Sequence, residues 1–294
     1  MMEKVEALIG ESLGSDIALL NATNRSLREH PGKMLRPSLA LLAAEATGHP
    51  SQDTIRFAAA AELLHNATLL HDDVVDGATE RRGVPTVAKL LSGPAAVLIG
   101  DFWLTRCMQT ILDADNYSER VFRIFAATLS ALAEGELLQM QKASSADTTQ
   151  EDYLRIIHCK TASLFEATAE AAAISAKAPE EYVEAVKSYA GNLGIAFQIK
   201  DDIFDYTPAS ESIGKPVGID LLEQKITQPL LCALEDAPEE EAGIRQAVSH
   251  LADAPGEAAA VAAFVKKHGG LEQAQKVLDA YVATPCRSIS LIPP

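Results

Sequence analysis

Apolar residues recur at helical spacing along most of the chain. Val5, Leu8, Ile9, Leu13, Ile17 and Leu20 mark a first amphipathic helix, which His30-Pro31-Gly32-Lys33 breaks. Arg36-Pro37 restarts the chain, with Pro37 suited to a first helical turn, and Leu39 to Ala46 is apolar and helix-compatible. After the turn Gly48-His49-Pro50, residues Thr54 to Asp76 read as one long alanine-rich helix. Gly77 to Pro85 is polar and loop-like. Ser92-Gly93-Pro94 opens a helix through about Leu112, and Tyr117 to Met140 forms another. Ser144 to Asp147 is a loop. Thr148 with Glu151 fits a capping box for a helix that runs to about Ala176. Pro179 starts a further helix. Thr207 to Pro229 is the least regular stretch and suits a mobile flap. Shorter helices follow near Thr227–Leu234, Glu239–Leu251, Pro255–Lys267 and Leu271–Val282.

No segment alternates with period two, so the pattern predicts an all-α fold. No Gly/Ser-rich linker interrupts it, so the expectation is a single domain over residues 1–294. Apolar residues make up 48% of the 294, enough for a large core. The net charge of −16 and the lack of a basic stripe argue against nucleic acid as the main partner. An anionic ligand would therefore need a local gathering of cations. Cys107, Cys159, Cys232 and Cys286 lie far apart, which suits a reducing cytosol rather than a disulfide framework or a zinc site. The first residues lack a signal-peptide layout, and no apolar run is long enough to span a bilayer.

The candidate chemistry sits where two apolar helices end. Leu70-His71-Asp72-Asp73-Val74-Val75-Asp76 closes the first, and Gln198-Ile199-Lys200-Asp201-Asp202-Ile203-Phe204-Asp205 closes the second. Asp72 and Asp76, four apart, share a helix face and repel each other. A hard divalent cation is the natural remedy, since its ligands are oxygens. A single Asp-Asp-x-x-Asp is usually a solvated helix end. Two copies, each after an apolar run and each followed by basic residues, point instead to clusters that hold several Mg2+ ions and, through them, a diphosphate. The metal candidates are Asp72, Asp73, Asp76, Asp201, Asp202 and Asp205.

Cations flank both clusters. Lys33 and Arg36 lie upstream, Arg81 and Arg82 follow the first cluster, and Lys160, Lys200, Lys215 and Lys225 surround the second. Guanidinium forks bind diphosphate oxygens in bidentate fashion, and lysine acts as a point charge. His65 lies two helical turns before Asp72 on the same stripe. Gln198 precedes Asp202 by one turn. No Gly-x-Ser-x-Gly is present, and no cysteine sits near a base, so a nucleophilic triad is not suggested.

Taken together, Gly32-Lys33-x-x-Arg36-Pro37, the two aspartate segments, Arg81-Arg82-Gly83, Gly100-Asp101-Phe102, Lys160-Thr161 and Gly214-Lys215-x-x-Gly218-x-Asp220 resemble the trans-isoprenyl diphosphate synthases of the polyprenyl synthetase family, in the family's order. The resemblance implies a helical bundle around a central cavity, usually in a homodimer, and the cysteine usage places it in the cytoplasm. It implies Mg2+ on the aspartates, with the allylic diphosphate helped by Arg81, Lys160, Lys200 and Lys215. Isopentenyl diphosphate would sit on Lys33, Arg36, His65 and Arg82. Thr161 and Gln198 would face the allylic cation, which makes Lys160, Thr161 and Gln198 the catalytic candidates. One departure is Gln224, where the family often has glycine before the lysine, and it puts the contact through Lys225 in question.

Ala67 and Thr68, one turn below Asp72, are small where short-chain relatives carry an aromatic floor. The expected product is therefore a long all-trans polyprenyl diphosphate, hexaprenyl or longer, built on a primer such as farnesyl diphosphate. Phe102, Trp103, Cys107 or Met108 on the facing helix would set the limit. The alternatives are a short-chain farnesyl or geranylgeranyl synthase, a terpene cyclase, and a non-catalytic synthase subunit. A cyclase would leave Lys33, Arg36 and Arg82 unexplained, and a non-catalytic subunit would be at liberty to lose its aspartates.

Overall fold

The computed structural model describes residues 1–29, 32–81, 83–207, 218–290 and 292. Among them the regular structure is helical apart from one two-stranded ribbon, Glu80–Arg81 against Val84–Pro85. The ribbon lies within the stretch expected to be loop. The chain divides into two compact units. One holds Met1–Ala127, Ala167–Lys187 and Ile292–Pro294, and the other holds Thr128–Glu166 and Ser188–Leu291.

The first unit is built on helix α4, Gln52–Val75. It packs most extensively against α6 (Gly93–Leu112), and also against α3 (Leu35–Thr47), α1 (Met2–Ser12) and the short α5 (Val87–Leu90). Ala58 to Ala61, Leu63 and Leu64 are all fully buried, so α4 is enclosed nearly all round. The run of alanines lets neighbouring helices approach closely. Ser51 starts the helix, accepting from the Thr54 amide at 3.3 Å, while the Ser51 amide donates to Thr54 Oγ1 at 2.8 Å.

The first expected helix is two. α1 ends at Ser12, and α2 spans Ala18–Glu29. Gly14-Ser15-Asp16 interrupts the periodicity, and buried Asn24 ties the break down. Its side-chain amide donates to Leu13 O at 2.9 Å, and its carbonyl accepts from Trp103 Nε1 at 2.8 Å. A satisfied buried amide outweighs the continuity of an apolar stripe.

In the second unit, Tyr153, Ile157, Ile199, Ile203, Leu221, Ile226 and Leu230 share a core with Val261, Phe264 and Val265. Gln228–Asp236 packs there on the long last helix, Gly270–Ile289. Helix α7, Ser118–Ser145, runs further than its periodicity suggests, and α8 (Gln150–Ile157) follows. The capping box of α8 falls one residue later than expected. Thr149 Oγ1 accepts from the Asp152 amide at 3.1 Å, and Asp152 Oδ2 accepts from the Thr149 amide at 3.0 Å. Thr148 is buried, and its carbonyl is taken by Arg245 at 3.0 Å, while Lys142 holds Asp152 at 2.9 Å. The competing partners choose the frame.

The expected helix to Ala176 is also interrupted. A π turn, His158–Ala162, separates α8 from α9 (Ser163–Ser175). Two glycines accommodate the bulge. A Cβ on Gly194 would stand 2.5 Å from Ala162 Cα, and one on Gly135 would stand 2.6 Å from Cys159 Cβ. Helix α10, Glu180–Asp205, then carries the second aspartate segment.

Candidate active site

In the first unit, the end of α4 divides its three aspartates. Asp72 is half-buried and Asp76 is exposed at the helix C-cap, where its amide donates to Asp72 O at 2.8 Å. Asp73 is buried. Arg81 Nε donates to Asp73 Oδ1 at 2.7 Å. The ribbon that pairs Arg81 with Val84 folds Arg81 back onto the helix. Burial raises the Asp73 carboxyl above its ordinary range, Arg81 opposes this, and the Asp76 charge adds to it. Asp73 and Arg81 border an apolar hollow of about 500 Å³, with Leu19, Leu69 and Trp103 in its wall. Asp72 and Asp76 are not part of that wall. The spacing groups all three carboxylates as metal candidates, and of these Asp73 is held by Arg81.

His71 holds the same helix end in place. Its Nε2 donates to Val97 O at 3.2 Å and lies 3.3 Å from Asp101 Oδ1. The ring rests on Gly100, where a Cβ would come within 2.4 Å of it. That contact explains the glycine in Gly100-Asp101-Phe102. His65 is half-buried, and its carbonyl accepts from Thr68 Oγ1 at 2.9 Å. Ala67 is 1% exposed, whereas Thr68 is half-buried. Lys33 is exposed just before α3, and Arg36 is half-buried in its first turn. Arg82 lies outside the described residues.

In the second unit, a polar hollow of about 240 Å³ gathers Lys142, Tyr153, Lys160, Gln198, Asp201 and Asp202, with Asp220 and Lys225 alongside. Asp201 is exposed. Asp202 is 3% exposed and accepts from Tyr153 Oη at 2.6 Å and from Gln198 Nε2 at 3.0 Å. Thr161 Oγ1 in turn donates to Gln198 Oε1 at 2.8 Å. Asp205 accepts the amides of Ile219 and Asp220 at 3.2 and 3.1 Å, which caps the short helix Ile219–Leu222. Lys160 pairs with Glu136, and Lys225 with Glu223. Lys200 is exposed and does not line the hollow, and Lys215 lies outside the described residues, as does most of the expected flap. Gln224 has φ +58°, and its side chain donates to Ser249 O at 2.6 Å. Gln224 therefore adopts a left-handed backbone, which glycine would take at less cost.

Burial pushes Asp202 up to about 6 and Asp220 up to about 8, with the neighbouring carboxylates adding to both. These acids repel one another, so a cation among them is favoured. Among the described residues no three His, Cys, Asp or Glu groups converge to hold a metal by themselves. The carboxylate oxygens of Asp201, Asp202 and Asp220 are the donor type that suits a hard divalent cation shared with phosphate oxygens. The spacing of the sequence assigns no role to Tyr153, Asp220 or Glu136. Asp220 closes a motif already noticed, and Tyr153 lies two turns before Lys160.

The polyprenyl synthetase family model matches residues 17–265. The all-trans-nonaprenyl-diphosphate synthase (geranyl-diphosphate specific) of Rhodobacter capsulatus is 38% identical over 291 residues, covering 98% of this chain and 88% of that protein. The octaprenyl diphosphate synthase of Escherichia coli (strain K12) is 40% identical over 248 residues, covering 84% and 76%. The crystal structure of a decaprenyl diphosphate synthase from Rhodobacter capsulatus matches with a TM-score of 0.91 at 38% identity, over 99% of this chain and 90% of that one.

Proposed function

We propose, on the premise that this chain belongs to the polyprenyl synthetase family, that it condenses isopentenyl diphosphate with an allylic diphosphate and releases a long all-trans polyprenyl diphosphate, hexaprenyl or longer. The long-chain names of the relatives and the small side chains at Ala67 and Thr68 support the product class. The observation that carries the reading is the polar hollow of the second unit, where Asp201, Asp202 and Asp220 meet Lys160, Lys225 and Gln198. Such a mixture of acids and cations serves a ligand that is itself a metal-bound anion.

The metal candidates are Asp72, Asp76, Asp201, Asp202 and Asp205, with Asp73 acting through Arg81. Bound Mg2+ would supply Lewis-acid stabilisation of the departing diphosphate. Lys160 and Lys225 would exchange their glutamate partners for diphosphate oxygens, and Arg81, Lys200 and Lys215 would add charge there. Lys33, Arg36, His65 and Arg82 would hold isopentenyl diphosphate. Thr161 and Gln198, tied to each other, would present oxygens toward the allylic carbon as positive charge develops. The departing diphosphate would take the proton lost after addition, so no side-chain base is required. Residues 1–294 would act as one catalytic domain, in a cytoplasmic homodimer. Among the described residues no helix is long and apolar enough to cross a membrane.

The test is incubation with farnesyl diphosphate, isopentenyl diphosphate and Mg2+, followed by mass spectrometry of the lipid. A product of six or more isoprene units is expected. A product that stops at geranylgeranyl diphosphate, or no use of isopentenyl diphosphate, would overturn the reading.

A further inference from the structure

We propose that Tyr153 is a positioning residue for the second aspartate cluster. It fixes the plane of Asp202 and, through Asp202, the side-chain amide of Gln198. The inference rests on the function proposed above.

Four side chains form one chain of hydrogen bonds. Thr161 Oγ1 donates to Gln198 Oε1 at 2.8 Å, Gln198 Nε2 donates to Asp202 Oδ1 at 3.0 Å, and Tyr153 Oη donates to Asp202 Oδ2 at 2.6 Å. An ionised carboxylate only accepts, and here each oxygen receives one donor. Two donors at opposite ends stop the group from rotating about its bond to the chain. They also decide which lone pairs are left to face the hollow. Asp202 and Tyr153 are each 3% exposed, so water does not replace a lost donor cheaply.

Tyr153 is itself held firmly. The Thr149–Asp152 box starts its helix, Lys142 grips Asp152 at 2.9 Å, and Gln150 Nε2 donates to Gln228 Oε1 at 2.8 Å. The π turn then swings Thr161 to meet Gln198. Tyr153 thus supplies a fixed reference at the far side of Asp202, while Thr161 supplies one at the far side of Gln198. The amide that would face the reacting carbon lies between the two. Outer partners of metal-binding carboxylates act in this way, and losing one costs about 10–100-fold in metal affinity or activity.

Tyr153→Phe removes one oxygen and keeps the ring. Expected results are a near-unchanged circular dichroism spectrum, kcat lower by about 10–100-fold, and KM for isopentenyl diphosphate within about twofold. Calorimetric titration of MgCl2 into protein with inorganic diphosphate should show weaker metal binding. In an Asp202→Ala background, Tyr153→Phe should cost less than about threefold, because each change removes the same interaction. Three results would each overturn the proposal: Tyr153→Phe within twofold of the parent, an equal loss in both backgrounds, or an unchanged metal titration. If the Phe chain does not fold, Asp202→Ala with and without Tyr153→His reads the same coupling. The titration needs no prenyl product, so a protein that makes no polyprenyl lipid sinks the proposed function and leaves the positioning test running.

Discussion

Arg81 Nε lies 2.7 Å from Asp73 Oδ1, and this single ion pair separates the middle aspartate of the first cluster from its neighbours. Asp73 is buried beside an apolar hollow, whereas Asp72 and Asp76 belong to a more open face. Removing Arg81 would strand a carboxylate with little access to water. Arg81→Ala should therefore lower stability by about 1–3 kcal/mol, less than for a fully enclosed pair because Arg81 is partly exposed. Urea unfolding measures it. Asp73→Asn in the same assay should recover most of that loss, since it removes the stranded charge.

The same division predicts unequal metal phenotypes. Asp72→Asn should raise the Mg2+ concentration needed for half-maximal turnover far more than Asp73→Asn does. Equal shifts in the two metal titrations would contradict the separate roles given to the two residues.

Gly100→Ala tests the seat of His71. The added Cβ would stand 2.4 Å from His71 Nε2 and 3.2 Å from Ala67 O. The ring must swing away from Val97 O and Asp101, next door to Asp72. A stability loss of about 1–3 kcal/mol is expected, as for other overpacked positions. Turnover should fall at temperatures where the protein is still folded, which a melting curve and an assay at low temperature would establish together.

Ala67→Phe should shorten the product without abolishing turnover, as seen by thin-layer chromatography of the lipid. Ala67 is 1% exposed, so this change also overpacks a helix contact and should lower the melting temperature. Thr68→Phe starts from a half-buried position and should shorten the chain at a smaller cost in stability. Unchanged product length in both variants would remove this helix face from control of chain length.

His158 gives a pH signature. The Glu166 carboxylate, 3.1 Å from His158 Nε2, raises the imidazole above its ordinary value, and burial opposes this. A group raised on folding stabilises fully below its unfolded value and loses that contribution as pH climbs through its folded value. Glu166→Gln should therefore reduce the melting temperature most near pH 6, and much less near pH 8.5. The His158 ring protons, followed by NMR, should titrate at lower pH in the variant.

Much of this was legible in the sequence because it is local. The spacing of Ala58 to Leu70 predicts a buried helix ending at Asp76, and α4 spans Gln52–Val75. Pro179 and the second aspartate segment bracket α10 in the same way. The order of Lys33, Arg36, the two aspartate clusters, Lys160 and Thr161 pointed to the family. Where the reading missed, a distant partner had decided the matter. Asn24 closes the gap between α1 and α2 because Trp103 reaches it. Thr149 displaces Thr148 as the cap because Arg245 claims the Thr148 carbonyl.

The sequence alone determined that the chain is helical, where the two aspartate-bearing helices end, and which residue types collect at those ends. Periodicity, proline and capping residues act within a turn or two, so their effects can be read from neighbours in the chain. Only the tertiary structure decided what each aspartate faces. Asp73 met Arg81, Asp202 met Tyr153, and Asp205 met the amides at 219 and 220. Carboxylates of identical chemistry were thus given different tasks, because burial and hydrogen-bond partners are properties of the packed chain and leave no mark in the spacing.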